Sequence, residues 1–230
     1  MSKKRSKNYL AAAEKVDSSK KYPLSDAASL VKEISFTKFD SNVEVVFDLN
    51  VDTTKADQQL RGAIVLPNGS GNPKTVAVFA DGDKAKEAQA AGADFVGTDD
   101  LIEKVRGGWT GFDIAIATPD QMAKVGRVGR LLGPKGLMPN PKEGTVTFDV
   151  AKAVEDAKGG QVTYRTDKNG NVAVPVGKVS FEADKLVENV KTVSSTIINS
   201  RPSTVKGTYV VSAHLASTMS PAVPLEVSSL

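Results

Sequence analysis

Pro67-Asn68-Gly69-Ser70-Gly71-Asn72-Pro73 places two prolines and two glycines in seven residues, and the chain reads differently on its two sides. Proline lacks a backbone N–H and glycine tolerates positive φ, so such a run breaks regular structure. Directly after it, residues 75–80 (TVAVFA) form a continuous apolar run, the mark of a strand buried on both faces. Residues 83–91 then predict helix, 94–96 a short strand, and 99–105 a helix capped by Asp99 or Asp100. Residues 112–117 predict another buried strand, and 119–125 a helix with proline in its first turn. This βαβαβα alternation predicts a small doubly wound α/β lobe. It closes at Lys158-Gly159-Gly160.

Outside that bracket the style changes. Residues 1–8 read as a basic tail, and 9–16 favour helix. A helix begins near Pro23 with Ser25 as its expected cap, and Ala27, Leu30, Val31 and Ile34 follow at helical spacing. Residues 39–49 switch to period two, with Val43, Val45, Phe47 and Leu49 on one face. Residues 60–66 predict a short strand. Residues 161–165 and 172–174 predict strands around a turn at Asp167-Lys168-Asn169-Gly170. Residues 181–200 form an amphipathic helix through Leu186, Val187, Val190, Val193 and Ile197. Residues 207–215 predict a last strand, with Tyr209, Val211, Ala213 and Leu215 on one face. The simplest topology is an insertion: 1–66 with 161–230 make one split α/β lobe, and 67–160 make a second. The crossings at Pro and Gly suit a hinge.

Composition narrows the function classes. Apolar residues at 40% suffice for a packed core, and aromatics at 6% make that core aliphatic. The absence of cysteine excludes disulfides, thiolate catalysis and cysteine zinc sites. His214 is the single histidine, so a multi-histidine metal site is excluded, and nothing supplies it with a nucleophile. No apolar run approaches the roughly 20 residues of a membrane helix, and no apolar core follows the basic MSKKRSK start. The expectation is a cytoplasmic protein with no membrane partner, no metal and no cofactor. The net charge of +3 is unevenly spread. Residues 67–160 hold twelve cations against thirteen carboxylates, and the rest eighteen against fourteen. The split lobe is therefore the one expected to face phosphate.

Each motif has two readings. In Gly126-Arg127-Val128-Gly129-Arg130-Leu131-Leu132-Gly133-Pro134-Lys135-Gly136-Leu137-Met138-Pro139-Asn140-Pro141, the cations Arg127, Arg130 and Lys135 can meet phosphates, or the segment is an ordered loop with solvated basic residues. It contains no GxxxxGK[ST], and no GxGxxG follows the first strand of the inserted lobe. Arg165 and Lys168 flank a turn that suits phosphate and 2′-hydroxyl contact, or form a charged hairpin tip. Lys38-Phe39 pairs a charge with a flat ring for stacking, although a core position is the usual fate of Phe. Ser217-Thr218-Met219-Ser220-Pro221 permits close backbone approach at a strand end, or is simply a turn. The carboxylate pairs Asp99-Asp100, Glu155-Asp156 and Asp81/Asp83 read as structural. Two functions follow: a non-catalytic RNA-binding protein, or a nucleotide-binding enzyme using the inserted α/β lobe.

The order of Asp57-Gln58-Gln59-Leu60-Arg61-Gly62, Leu66-Pro67-Asn68-Gly69-Ser70-Gly71, Gly92-Ala93-Asp94, the 126–141 run with GPKGLMPNPK, Gly144-Thr145-Val146, Asp167-Lys168-Asn169-Gly170, Gly177-Lys178 and Thr218-Met219 resembles the large-subunit ribosomal protein one family of bacterial type. The resemblance spans about Lys38 to Pro221. It implies a split ferredoxin-like or RRM-like α/β domain carrying an inserted Rossmann-like three-layer α/β domain. It also implies a structural constituent of the large ribosomal subunit that is not an enzyme. Such a protein binds the stalk region of large-subunit rRNA near the tRNA exit site, assists release of deacylated tRNA, and represses translation by binding its own mRNA. Carried over residue by residue, the RNA contacts fall on Lys38, Phe39, Arg165, Asp167, Lys168, Thr218, Met219 and Ser220. Three positions depart from the family's usual pattern: Ser220 stands for glycine, Asn68 for histidine, and a histidine near Ala173 is missing. A side chain at Ser220 is expected to crowd the backbone approach to RNA.

Overall fold

A computed structural model describes residues 5–229; residues 1–4 of the expected basic tail, and residue 230, lie outside the described residues. The chain is α/β and divides into two compact units, Met1–Gly71 with Val162–Leu230, and Asn72–Gln161. The first division falls after Gly71, not after Leu66, because the crossing segment is bonded into the outer unit. The backbone N–H of Asn68 donates to Asn189 Oδ1 at 3.1 Å, and Asn189 Nδ2 donates to the Gly69 carbonyl at 3.1 Å. Gly71, at φ 72°, lies so close to Phe181 that a Cβ would sit 3.0 Å from its ring.

The outer unit opens with α1 (Lys7–Glu14), capped by Ser6, and α2 (Leu24–Ile34). The cap of α2 is Pro23, whose extended backbone accepts the first helical bond from Ala27; Ser25 lies inside the first turn. Strand β1 (Asn42–Leu49) buries Val43, Val45, Phe47 and Leu49 as period two requires. After β2 (Arg61–Val65), the chain enters the inserted unit.

There β3 (Val76–Phe79), buried at every position, pairs in parallel with β4 (Phe95–Gly97) on one side and β5 (Ile114–Ala117) on the other. Val76 and Val78 pack with α3 (Gly82–Ala90) and α7 (Val150–Lys158). Ala77 and Phe79 face the other way, onto α4 (Asp99–Arg106) and the short helices α5 (Met122–Val125) and α6 (Gly129–Leu132). The sheet thus lies between two helical layers, as its unbroken apolar runs require. The cap of α4 is Thr98; Asp99 and Asp100 stand in the first turn, where their charge favours the helix dipole. Residues 126–132, expected as loop, continue the helical path, because Val128 and Leu132 are drawn into the core.

The outer unit resumes with β6 (Gln161–Arg165), β7 (Asn171–Lys178), α8 (Ala183–Asn199), β8 (Val210–Ser217) and β9 (Val223–Leu225). The sheet order is β7-β1-β8-β9, with antiparallel neighbours. Helices α2 and α8 share one apolar core with it. Strand β6 pairs with β2 in a separate sheet, so the 167–170 turn joins two sheets. It is not the tip of a regular hairpin; a single bridge, Thr166 to Val172, remains. In β8 a bulge sets Val210 opposite Leu49 and Ser212 opposite Asp48. The skipped Val211, expected on the buried face, is 53% exposed, while Tyr209 and Val210 are both buried.

Candidate nucleic-acid interface

The Asn42 end of β1 gathers three segments that are distant in sequence. The loop between α2 and β1 is tied by Ser35 Oγ to Ser41 Oγ at 3.1 Å, and Thr37 Oγ1 donates to the Phe39 carbonyl at 2.9 Å. Asp40 accepts from Ser180 N at 3.1 Å and from Ser180 Oγ at 2.7 Å, so the end of β7 is drawn beside the loop. The third segment follows β8. Thr218 N donates to the Asn42 carbonyl at 3.0 Å, with Thr218 Oγ1 at 3.3 Å from the same oxygen.

These bonds fix what the loops display. Phe39 is 58% exposed and Met219 68% exposed, so Phe39 is not a core residue. Lys38 is exposed and has no side-chain partner among the described residues. Met219 holds a φ of 69° in the turn closed by Ser220 N to the Ser217 carbonyl at 3.0 Å. Among the described residues it is the one non-glycine with positive φ. The Ser220 hydroxyl is engaged within its own turn. Its Oγ turns inward, 2.8 Å from Ser217 Oγ and accepting from Ser217 N at 3.1 Å.

The 165–168 group stands elsewhere. Asn171 pairs with Asp48, and Leu49 N donates to the Gly170 carbonyl at 3.1 Å, so this turn belongs to the opposite end of β1. Six residues of strand separate the two ends, about 20 Å. Arg165 and Lys168 are exposed there. Asp167 is occupied: its carboxylate accepts from Asn169 N and Asn171 N, each at 2.8 Å, and from Asn171 Nδ2 at 3.3 Å. Those bonds, Asn171's first, hold its carboxyl below the usual carboxylate range. It shapes the turn instead of offering a free acceptor. Sequence reading missed Lys178-Val179-Ser180 as part of the first cluster. Gly177-Lys178 was a visible motif, but only the Asp40–Ser180 bonds reveal its neighbours.

The inserted unit answers the nucleotide-binding alternative. A doubly wound sheet takes nucleotides at the carboxyl ends of its strands. Here Thr118 N bonds the Phe79 carbonyl at 3.1 Å and sets the loops after β3 and β5 side by side. They carry exposed Asp81 and Asp120, with Asp83 exposed in the first turn of α3, and these carboxylates oppose a phosphate; Asp81 itself accepts from Gly82 N at 2.8 Å. Among the described residues no cluster of three or more metal-ligating side chains occurs, and no helix is long and apolar enough to cross a membrane.

The model of the Ribosomal protein L1p/L10e family matches residues 31–221. The chain belongs to this family. Among its relatives, the large ribosomal subunit protein uL1 of Oenococcus oeni is 84% identical over 230 residues, all of both chains. Its counterparts from Leuconostoc mesenteroides, 66% over 230 residues and all of both chains, and Streptococcus uberis, 60% over 227 residues and 99% of each, are also similar. Two of the departures from the family's usual pattern have local roles or surroundings. Asn68 Nδ2 donates to Glu188 Oε2 at 2.8 Å, beside its backbone bond to Asn189. Ala173 is exposed on β7, in register with Val46.

Proposed function

We propose that this chain is a structural constituent of the large subunit of cytoplasmic ribosomes, not an enzyme, and that its outer unit holds the stalk region of large-subunit rRNA near the tRNA exit site. The observation that carries the reading is the pair of exposed side chains, Phe39 and Met219, presented beside Lys38 on loops pinned to one strand end. An apolar ring and thioether standing in water beside a free ammonium suit a base or ribose face with its phosphate. The charge excess of the outer segments and the family's ribosomal relatives support the same assignment. Within this reading, Lys38, Phe39, Thr218 and Met219 form the primary contact. Arg165 and Lys168 add phosphate contacts at the other end of β1, with Asp167 and Ser220 holding their turns in shape. The protein assists release of deacylated tRNA from the exit site, and it represses translation when its own mRNA offers a similar hairpin to the same loops.

The test is a gel shift against the stalk hairpin and an unrelated hairpin of equal length. The intact chain is expected to prefer the stalk hairpin, and Phe39→Ala and Thr218→Val to weaken that binding by roughly tenfold each, about 1.4 kcal/mol. Equal affinity for both hairpins, or full affinity in both variants, removes the assignment. Competition by a fragment of the chain's own mRNA for the same loops checks the regulatory role.

A further inference from the structure

Asparagine followed by glycine occurs twice in the chain, at Asn68-Gly69 and at Asn169-Gly170. The pairing has a chemistry of its own. The backbone nitrogen of the following residue can attack the asparagine Cγ, and glycine, with no Cβ, leaves that nitrogen unshielded. The two pairs meet different surroundings. At Asn68 the side-chain amide is held: Nδ2 donates to Glu188 Oε2 at 2.8 Å, with the Lys185 carbonyl and Asn189 Oδ1 each at 3.4 Å. The backbone is held too. Asn68 N donates to Asn189 Oδ1 at 3.1 Å, Gly69 N to the Leu66 carbonyl at 3.0 Å, and Asn189 Nδ2 to the Gly69 carbonyl at 3.1 Å.

Asn169 stands in the turn between β6 and β7 and is exposed. Among the described residues its side chain has no hydrogen bond or ion pair; only its backbone N–H is engaged, by Asp167. Gly170 N reaches the Asp167 carbonyl at 3.3 Å, beyond the usual range for an N–H donor, with a lesser pull from the Asp167 carboxylate. The nitrogen that attacks is thus lightly held, and the Asn169 amide leaves only water when it turns towards it. The turn also obliges this glycine. Gly170 has a φ of 91°, and a Cβ there would sit 2.8 Å from the Leu49 carbonyl oxygen, so no bulkier residue takes its place and shields the nitrogen.

We propose that Asn169 is a site of spontaneous deamidation, while the fold protects Asn68. The Gly170 nitrogen gives its proton to hydroxide from solvent and forms a bond to Asn169 Cγ. The Cγ–Nδ2 bond breaks, and the nitrogen leaves as ammonia with a proton taken from water. Water then opens the five-membered imide at either carbonyl, giving aspartate or isoaspartate at position 169. Either product adds a carboxylate. Residues 165–170 hold two cations, Arg165 and Lys168, against one carboxylate, Asp167; conversion makes the count two against two. Isoaspartate also lengthens the main chain by one atom, inside a turn that the Asp167 carboxylate and Leu49 N both bind. The effect on RNA rests on the proposed role of Arg165 and Lys168 as phosphate contacts: the converted turn holds phosphate less well.

The experiment incubates the full chain without RNA in mildly alkaline buffer and follows peptic peptides, cut in acid, by mass spectrometry. Replacement of an amide NH2 by OH marks conversion. Asn169 is expected to convert at least roughly tenfold faster than Asn68, the factor that hydrogen bonds of the kind holding Asn68 are worth. In urea the two rates converge. Glu188→Ala, at an exposed position, speeds Asn68 alone. Conversion of Asn169 no faster than that of Asn68 in the folded chain overturns the proposal. So does a gap of the same size in urea, because the fold would then not be its cause. The effect on RNA is read with Asn169→Asp by fluorescence anisotropy on the stalk hairpin, where affinity at low salt should fall roughly threefold with the circular dichroism spectrum unchanged. Full affinity in that variant, beside weakened binding in Phe39→Ala, overturns the effect on RNA and leaves the rRNA reading standing. Conversion rates are measured without RNA, so failure of the rRNA reading leaves the modification site standing.

Discussion

Met219 sits where a side chain is least at ease. A φ of 69° is left-handed, and an L-residue there gives up roughly 1–2 kcal/mol that glycine would not. Met219→Gly is therefore expected to raise stability by about 1 kcal/mol, the entropy of an added glycine offsetting part of the relief. It should also weaken binding of the stalk hairpin by removing an exposed apolar contact. Thermal unfolding and a gel shift on the same variant check the opposed signs; a variant that gains stability and keeps full affinity would take Met219 out of the contact set. Ser220→Ala removes the bonds to buried Ser217 and should cost about 1 kcal/mol in a denaturant titration. Neither role was legible in the sequence. Methionine is no turn former, so nothing flagged its φ, and a serine gives no sign of which way its hydroxyl will turn. Phe39 was read at the head of the period-two stretch, but β1 begins only at Asn42, so its exposure had to be seen. Asp167 was legible as a turn residue but not as one whose carboxylate is fully occupied by the turn.

At the level of elements, the regular patterns were transparent and the exceptions were not. Alternation gave the buried face of β1, and the stripe of Leu186, Val190, Val193 and Ile197 gave that of α8. The bulge in β8 broke the same logic at Val211, since an extra residue inverts which face follows. Residues 126–132 were hidden by their glycines, whose turn preference lost to the burial of Val128 and Leu132. Asn189 is the polar exception inside the α8 stripe, and it has a definite task. Its Nδ2 also bonds the Val176 carbonyl at 2.7 Å, so one amide joins β7, α8 and the segment leaving for the inserted unit. Asn189→Leu leaves the Val176 carbonyl and the Asn68 N–H unpaired and should cost about 2–4 kcal/mol, read as a lowered urea midpoint. The edge of the inserted sheet makes a pH-dependent case. Asp113 accepts from Thr75 N and Oγ1, and Asp94 from Val76 N, and these bonds hold both carboxyls below the usual range. A depressed folded-state pKa means stability present at neutral pH and lost as the pH falls below about 4 through the folded values. Asp113→Asn is expected to lower the urea midpoint at neutral pH and to flatten its acid dependence. A variant whose midpoint falls in parallel with the parent's at every pH would remove Asp113 as a source of that dependence.

For the whole molecule, the decisive sequence feature was a change of style at Pro67–Pro73 and at Gly159-Gly160, two interruptions that only an insertion explains economically. The physics behind it is that each unit closes its own core. One apolar cluster draws solely on the outer segments, and two others solely on the inserted one. The ends of the insertion also meet, for Lys74 Nζ donates to the Gln161 carbonyl at 2.7 Å, where burial pushes the lysine pKa down. A chain in which residues 72–161 are replaced by a short glycine-serine linker should therefore close without strain and unfold in one cooperative transition. It is expected to keep its preference for the stalk hairpin, because Lys38, Phe39, Thr218 and Met219 all remain. The converse fragment, 72–161 alone, should fold around its own sheet and bind RNA only weakly, with no preference among hairpins. Circular dichroism, urea titration and anisotropy on the two pieces measure all of this together. If the hairpin preference travelled with the 72–161 fragment, the assignment of specific RNA holding to the outer unit would have to be reversed.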